Sequence, residues 1–247
     1  MDSMRMLALY SIKGGVGKTA SAVNLAAEAA RAGYRVLLWD LDPQAATSFY
    51  LRVKPKVRGG VDKLVKGKAA FDKVIRATQI EGLDLLPAAL ASREMDALLA
   101  KRGASHLRQI LKPVRDDYDL VILDCPPSLS HLSENIFSSV DALLVPVVPT
   151  VLSLRTLDQL QDFLDDHDIA CTLWPFITLA DRRRTLHREV MEGFHERWPL
   201  RLSIDIPSAS AVERMGLERA PVRDYAPRSA AARAYTALWR EIDQRLH

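Results

Sequence analysis

The chain has 247 residues, 48% of them hydrophobic, 26% charged and only 6% aromatic, with a formal net charge of +3. This is an ordinary globular composition with too few aromatics for the base-stacking platform of a single-strand binder, and its mild charge excess assigns no partner by itself. Two cysteines, Cys125 and Cys171, make no disulfide framework and no CxxC pair. No signal peptide or membrane-length apolar run is present either, so a reducing cytoplasm is the expected compartment.

Met6–Ile12 is a short apolar run read as a strand, followed by a glycine-rich turn. The stretch from Lys18 to Gly33 has Ala22, Leu25, Ala26 and Ala29 on one face and reads as a helix stopped by glycine. Residues 35–42, RVLLWDLD, form a second buried strand, which makes the opening a βαβ unit. Residues 44–80 are polar and basic, with helices expected around Val61–Val65 and Phe71–Ala77. Leu83–Ala88 ends a strand, and 92–111 hold one or two helices. Further strands are expected at 118–127, 141–150, 169–180 and 201–207, with helices at 153–167, 184–198 and 229–246. Strands alternate with helices and no linker or repeat intervenes. The expected architecture is therefore α/β: residues 1–247 as one domain, a doubly wound, mostly parallel sheet flanked by helices.

GGVGKT follows a strand and opens a helix, the context of a phosphate-binding P-loop. Backbone N–H groups must converge on phosphate oxygens, so Gly14, Gly15, Val16 and Gly17 form the cradle, which Ala20 closes on the helix side. The helix N-terminus adds about half a positive charge. Lys18 is expected on the β- and γ-phosphates, with the Thr19 hydroxyl on Mg²⁺. Asp124 ends the apolar strand VILD and is the second magnesium candidate. Asp40 and Asp42 lie on one face of an extended segment. Asp42 is the candidate to position or deprotonate the attacking water, and Asp40 to support the magnesium waters or the loop.

Together KGGVGKT, DLDPQ, DCPP and the late DYAPRSAAARAY resemble the ParA/MinD group of deviant Walker ATPases, in its ParA branch. The resemblance runs from Met6 to the last helix. It implies ATP and Mg²⁺ as cofactors and a dimer that sandwiches two nucleotides. It also gives Lys13 a role: the extra lysine of the loop reaches the phosphates bound by the partner subunit. The implied function is an ATP-dependent dimerising switch that binds non-specific double-stranded DNA and positions a chromosome, plasmid or protein cluster. A ParB-like or similar protein would stimulate its slow hydrolysis, and the expected location is the nucleoid.

For DNA, the basic candidates are Arg182, Arg183, Arg184 and Arg188, with Arg183 the best match to the family's DNA-contacting loop; Arg214 and Arg219 follow. The family's arginines after the last strand are replaced here by Ser208, Ala209 and Ala211. That departure favours an orphan positioning ATPase and alters the expected DNA footprint. The resemblance puts the adenine near Thr178 and Pro207. The alternative is a MinD-like or other relative acting on a membrane or protein anchor without DNA. Its amphipathic tail would have to be the last helix, where Tyr235, Leu238, Trp239, Ile242 and Leu246 read instead as core-facing. An iron–sulfur relative would need a second cysteine near Cys125, and a ligase would need its own substrate pocket.

Overall fold

The apolar runs line up as strands of one sheet because each is buried on both faces, which suits parallel strands covered by helices. In the computed structural model, which describes residues 4–54, 71–88, 96, 99 and 106–247, seven strands take the order β3-β4-β2-β5-β1-β6-β7. They are β1 (Arg5–Leu9), β2 (Val36–Asp40), β3 (Arg76–Ala77), β4 (Leu83–Leu86), β5 (Leu120–Asp124), β6 (Ala142–Val147) and β7 (Leu173–Ile177). All neighbours pair in parallel except the two-residue edge strand β3, which is antiparallel to β4.

Alternation along β1 divides the core. Leu7 and Leu9 face α1 (Lys18–Arg31) and the last helix, α10 (Ala230–Leu246). Met6, Ala8 and Tyr10 face the opposite layer: α3 (His106–Leu111), α4 (His131–Phe137), α5 (Val151–Asp166) and α6 (Thr185–Arg197). Tyr235, Leu238, Trp239, Ile242 and Leu246 are all buried beneath α10, so the apolar face of that helix belongs to the core.

Three expectations are revised. Residues 201–207 form no strand. They run beside β7 with Leu202 N–H on the Pro175 carbonyl at 2.8 Å, Ile206 N–H on Ile177 at 2.9 Å and one bridge, Ala180 to Pro207. Between these points the chain bends at Ser203, whose N–H is held by Glu241 at 2.8 Å on the side away from β7. The helix expected at Phe71–Ala77 is one 3₁₀ turn, Phe71–Lys73, followed by β3; β-branched Val74 and Ile75 favour leaving the helix for the sheet edge. A five-residue helix α2 (Ala46–Tyr50) follows β2 where irregular chain was expected. The helix expected at 61–65, and most of that at 92–111, lie outside the described residues. Three short helices, α7 (Ser210–Glu213), α8 (Met215–Glu218) and α9 (Val222–Tyr225), lead into α10.

Candidate functional site

The functional residues gather at the carboxyl ends of β1, β2 and β5, where open α/β sheets bind ligands. After β1 the chain turns through residues 10–17 and enters α1 at Lys18. Gly15 (φ 74°) and Gly17 (φ 88°) hold left-handed backbone that other residues adopt only with strain. A Cβ on Gly14, Gly15 or Gly17 would meet nothing within 4 Å, so the loop faces open space. No side chain caps the start of α1 and its first turn carries no acid, leaving the positive end of the helix free for an anion.

The Lys18 side chain is tucked in, only 7% exposed, with Nζ donating to the carbonyls of Ser11 at 3.3 Å and Lys13 at 3.2 Å. Burial lowers its pKa, opposed by the charge of Asp124. Lys13 points outward, and its Nζ donates to Ser153 Oγ near the start of α5 at 3.3 Å. Val16 is buried, and its carbonyl accepts the Thr178 hydroxyl at 2.8 Å. Thr178, expected near the adenine, therefore spends its hydroxyl on propping the phosphate loop. Pro207 reaches the same end of β7 through its bridge to Ala180.

Asp124 is fully buried at the end of β5, in register with Leu9 on one side and Asp40 on the other. Its Oδ2 accepts the Thr47 hydroxyl at 2.7 Å, while its buried Oδ1 has no hydrogen-bond partner among the described residues. Burial pushes its pKa up to about 7; the Thr47 and Thr19 hydroxyls pull the other way, and neighbouring Asp40 adds to the rise. A buried carboxylate oxygen without a partner is costly unless something fills the place. Among the described residues no three His, Cys, Asp or Glu side chains cluster as metal ligands. One carboxylate and one hydroxyl, with waters and phosphates completing the shell, is the donor set magnesium commonly accepts. Asp124 and Thr19 fit that ion.

Asp40, expected to support the magnesium waters or the loop, has both oxygens engaged by its own segment. Its Oδ2 accepts both the Ser48 hydroxyl at 2.7 Å and the Ser48 N–H at 3.0 Å, and its Oδ1 accepts the Asp42 N–H at 3.3 Å. Both oxygens thus organise the segment that joins β2 to α2, and burial raises the pKa to about 6. Asp42 sits half-buried on that segment with Oδ1 accepting the Gln44 N–H at 2.9 Å. Thr47 and Ser48 escaped the sequence reading. The only signal was a pair of hydroxyl residues after DLDPQ, and their partners lie 77 and 8 residues away.

Arg182, Arg183, Arg184 and Arg188 stand together at the start of α6. Arg182 pairs with Asp205 at 2.9 Å. Arg183 forks onto Asp181 at 2.9 and 3.1 Å and holds that carboxyl down at about 2. Arg188 donates to the Arg182 carbonyl at 2.8 Å and to Thr185 Oγ1 at 3.0 Å. Arg184 makes no ion pair among the described residues, and of the four it has the freest charge. Arg214 and Arg219 belong to another region: Arg214 pairs with Glu218, and Arg219 lies on Phe49 of α2.

This fold, with a glycine loop opening α1 and a buried acid ending the neighbouring strand, defines the P-loop class of nucleotide phosphate-binding proteins. The AAA domain profile matches residues 4–169. The sporulation initiation inhibitor protein Soj of Bacillus subtilis is 33% identical over 96% of this chain and 98% of its own. The chromosome partitioning protein ParA of Caulobacter vibrioides is 31% identical over 99% and 96%. Among solved structures, cobyrinic acid a,c-diamide synthase from Mycobacterium smegmatis, with a bound ATP analogue and magnesium, superposes with a TM-score of 0.82. It is 28% identical and covers 98% of this chain and 95% of its own. The chain belongs to the ParA/MinD family of deviant Walker ATPases.

Proposed function

We propose that the protein is a magnesium- and ATP-dependent dimerising switch whose ATP dimer holds non-specific DNA and positions a cargo. The observation that carries this reading is the pairing of an open, uncapped phosphate loop with the unpartnered Asp124 Oδ1 beside it. The named roles of Soj and ParA in sporulation and chromosome partitioning support the positioning class, and the nucleotide and magnesium in the M. smegmatis structure support the cofactors.

Lys18 leaves its loop carbonyls to take the β- and γ-phosphates, and the loop N–H groups orient them. Thr19 and Asp124 hold magnesium, which when bound neutralises phosphate charge. Asp42 orients the attacking water and accepts its proton. Lys13, exposed at the mouth of the loop, reaches the phosphates of a second subunit and supplies positive charge as an arginine finger does. Dimerisation and hydrolysis thus share one residue, and a ParB-like protein that presses the dimer together would accelerate turnover. The adenine lies against the chain near Thr178 and Pro207.

DNA contact falls to the arginines at the start of α6, led by Arg184 and Arg188, which make no ion pair among the described residues. A second reading, an anchor of protein or membrane without DNA, is favoured by one observation: Arg182, Arg183 and Arg214 are each matched by an acid. The deciding experiment is DNA binding by Asp42→Ala protein with ATP and with ADP across a salt series. Binding only with ATP, on any sequence and weakening steeply with salt, supports the first reading. A dimer that binds no DNA at low salt supports the second.

A further inference from the structure

Two arginines far apart in sequence each grip the backbone at the end of the other's helix. Arg52 follows α2, and its guanidinium donates to the Glu218 carbonyl at 2.8 Å and the Arg219 carbonyl at 3.3 Å. Arg219 follows α8, and its Nε donates to the Phe49 carbonyl at 3.0 Å while its guanidinium lies over the Phe49 ring, 4.6 Å from the centroid. Each arginine therefore bonds carbonyls where the other's helix ends, that of Phe49 also accepting the Arg52 N–H at 3.2 Å. Both hold left-handed backbone, φ 57° at Arg52 and φ 49° at Arg219, a conformation non-glycine residues keep only where the surroundings enforce it. The reciprocal grip supplies that enforcement.

The other end of α2 is at the chemistry. Thr47 donates to Asp124 Oδ2, and Ser48 holds Asp40 through its hydroxyl and N–H. α2 is only five residues long, little more than one turn, so its two ends lie close together. Thr47, Phe49 and Arg52 thus form a bonded path of one turn from Asp124 to the end of α8.

We propose that α2 is a lever that couples the state of Asp124 to the Ser210–Arg219 segment, with Thr47 as the reading end and the Arg52–Arg219 grip as the writing end. Thr47 is a positioning residue: it sets the carboxylate so that Oδ1 stays free, and it reports what happens there. The segment it writes to starts just past Pro207, and it exposes Leu217, 82% accessible, together with Arg214. Its far side is tied independently to α1, through the Val222 N–H on Asn24 Oδ1 at 2.8 Å, which gives the lever a fixed point to work against. The proposal rests on the reading of Asp124 as the acid beside the metal.

The test is hydrogen exchange of the full chain, with and without Mg²⁺ plus a non-hydrolysable ATP analogue, followed separately at amides 13–20 and 210–219. Wild-type protein should slow exchange in the first window and change it in the second. Arg219→Ala, a surface change, should keep the response at 13–20 and lose the one at 210–219. Thr47→Val, at nucleotide and Mg²⁺ concentrations that saturate the response at 13–20, should also lose the one at 210–219, and Thr47→Ser, which keeps the hydroxyl, should restore it. A full response at 210–219 in Arg219→Ala, or none there in wild-type protein whose loop responds, overturns the lever. No response at 13–20 in wild-type protein overturns the nucleotide reading beneath it as well.

Discussion

Replacing Asp124 by asparagine should make the nucleotide-free protein more stable at alkaline pH while removing its response to magnesium. The carboxyl titrates near 7 in the folded chain against an ordinary 3.8. Holding it ionised at pH 8 therefore costs about 4 kcal/mol, at about 1.36 kcal/mol for each step in pKa. Asparagine keeps an oxygen to accept the Thr47 hydroxyl but places an N–H₂ where Oδ1 has no partner, a loss of about 1–3 kcal/mol. The difference leaves Asp124→Asn about 1–3 kcal/mol more stable at pH 8. The sign follows from the raised acid: between about 4 and 7 the folded chain binds more protons than the unfolded one, so wild-type stability falls as pH rises through that window. Below about pH 4 both states carry a neutral group and the advantage disappears. Asp40, raised to about 6, keeps a weaker slope of the same sign in the variant. Urea unfolding in EDTA at pH 5, 6, 7 and 8 measures this, and repeating it with Mg²⁺ and ADP should stabilise wild-type protein alone. Equal pH slopes in the two proteins, or a variant less stable at pH 8, would refute the reasoning.

Three substitutions separate the roles at the loop. Lys18→Ala should abolish nucleotide binding in a calorimetric titration, and retained affinity would remove the loop lysine from phosphate recognition. Lys13→Ala should bind ATP with near wild-type affinity yet stay monomeric by light scattering, since among the described residues its Nζ holds only Ser153; an unchanged ATP dimer would end the cross-subunit role. Asp42→Ala should dimerise but lose about 10²-fold or more in hydrolysis, the usual contribution of general acid–base catalysis, whereas wild-type turnover would exclude it from the chemistry.

The sheet was readable because its strands are short apolar runs closed by Gly, Pro or Asp, and the loop because its glycines sit between a strand and a helix. α2 was not: ATSFY has no apolar period long enough to see, and its start at Ala45 is left-handed without a glycine to mark it. α4 begins with a reciprocal Ser130–Ser133 cap, where a Ser in place of the usual Glu or Gln hides the signal. The segment 201–207 has strand composition, yet it bends at Ser203, whose N–H and hydroxyl bind Glu241 of α10, a partner that only tertiary structure supplies. At the site, the acids and lysines were visible by type. Which oxygen each acid keeps free was not, because Thr47 and Ser48 make that decision and carry no motif of their own.

The hydrogen bond from Arg5 to the Leu246 carbonyl, 3.0 Å long, has a practical meaning. It fixes the start of β1 beside the end of α10, while the phosphate loop leaves the other end of β1, about 17 Å away at about 3.3 Å per residue over five residues. Chain entering at Arg5 and chain leaving after Leu246 therefore share the pole remote from the nucleotide. A fluorophore or surface tether attached at either position would stand clear of the face where two subunits are proposed to meet, so the switching cycle could be watched without obstructing it.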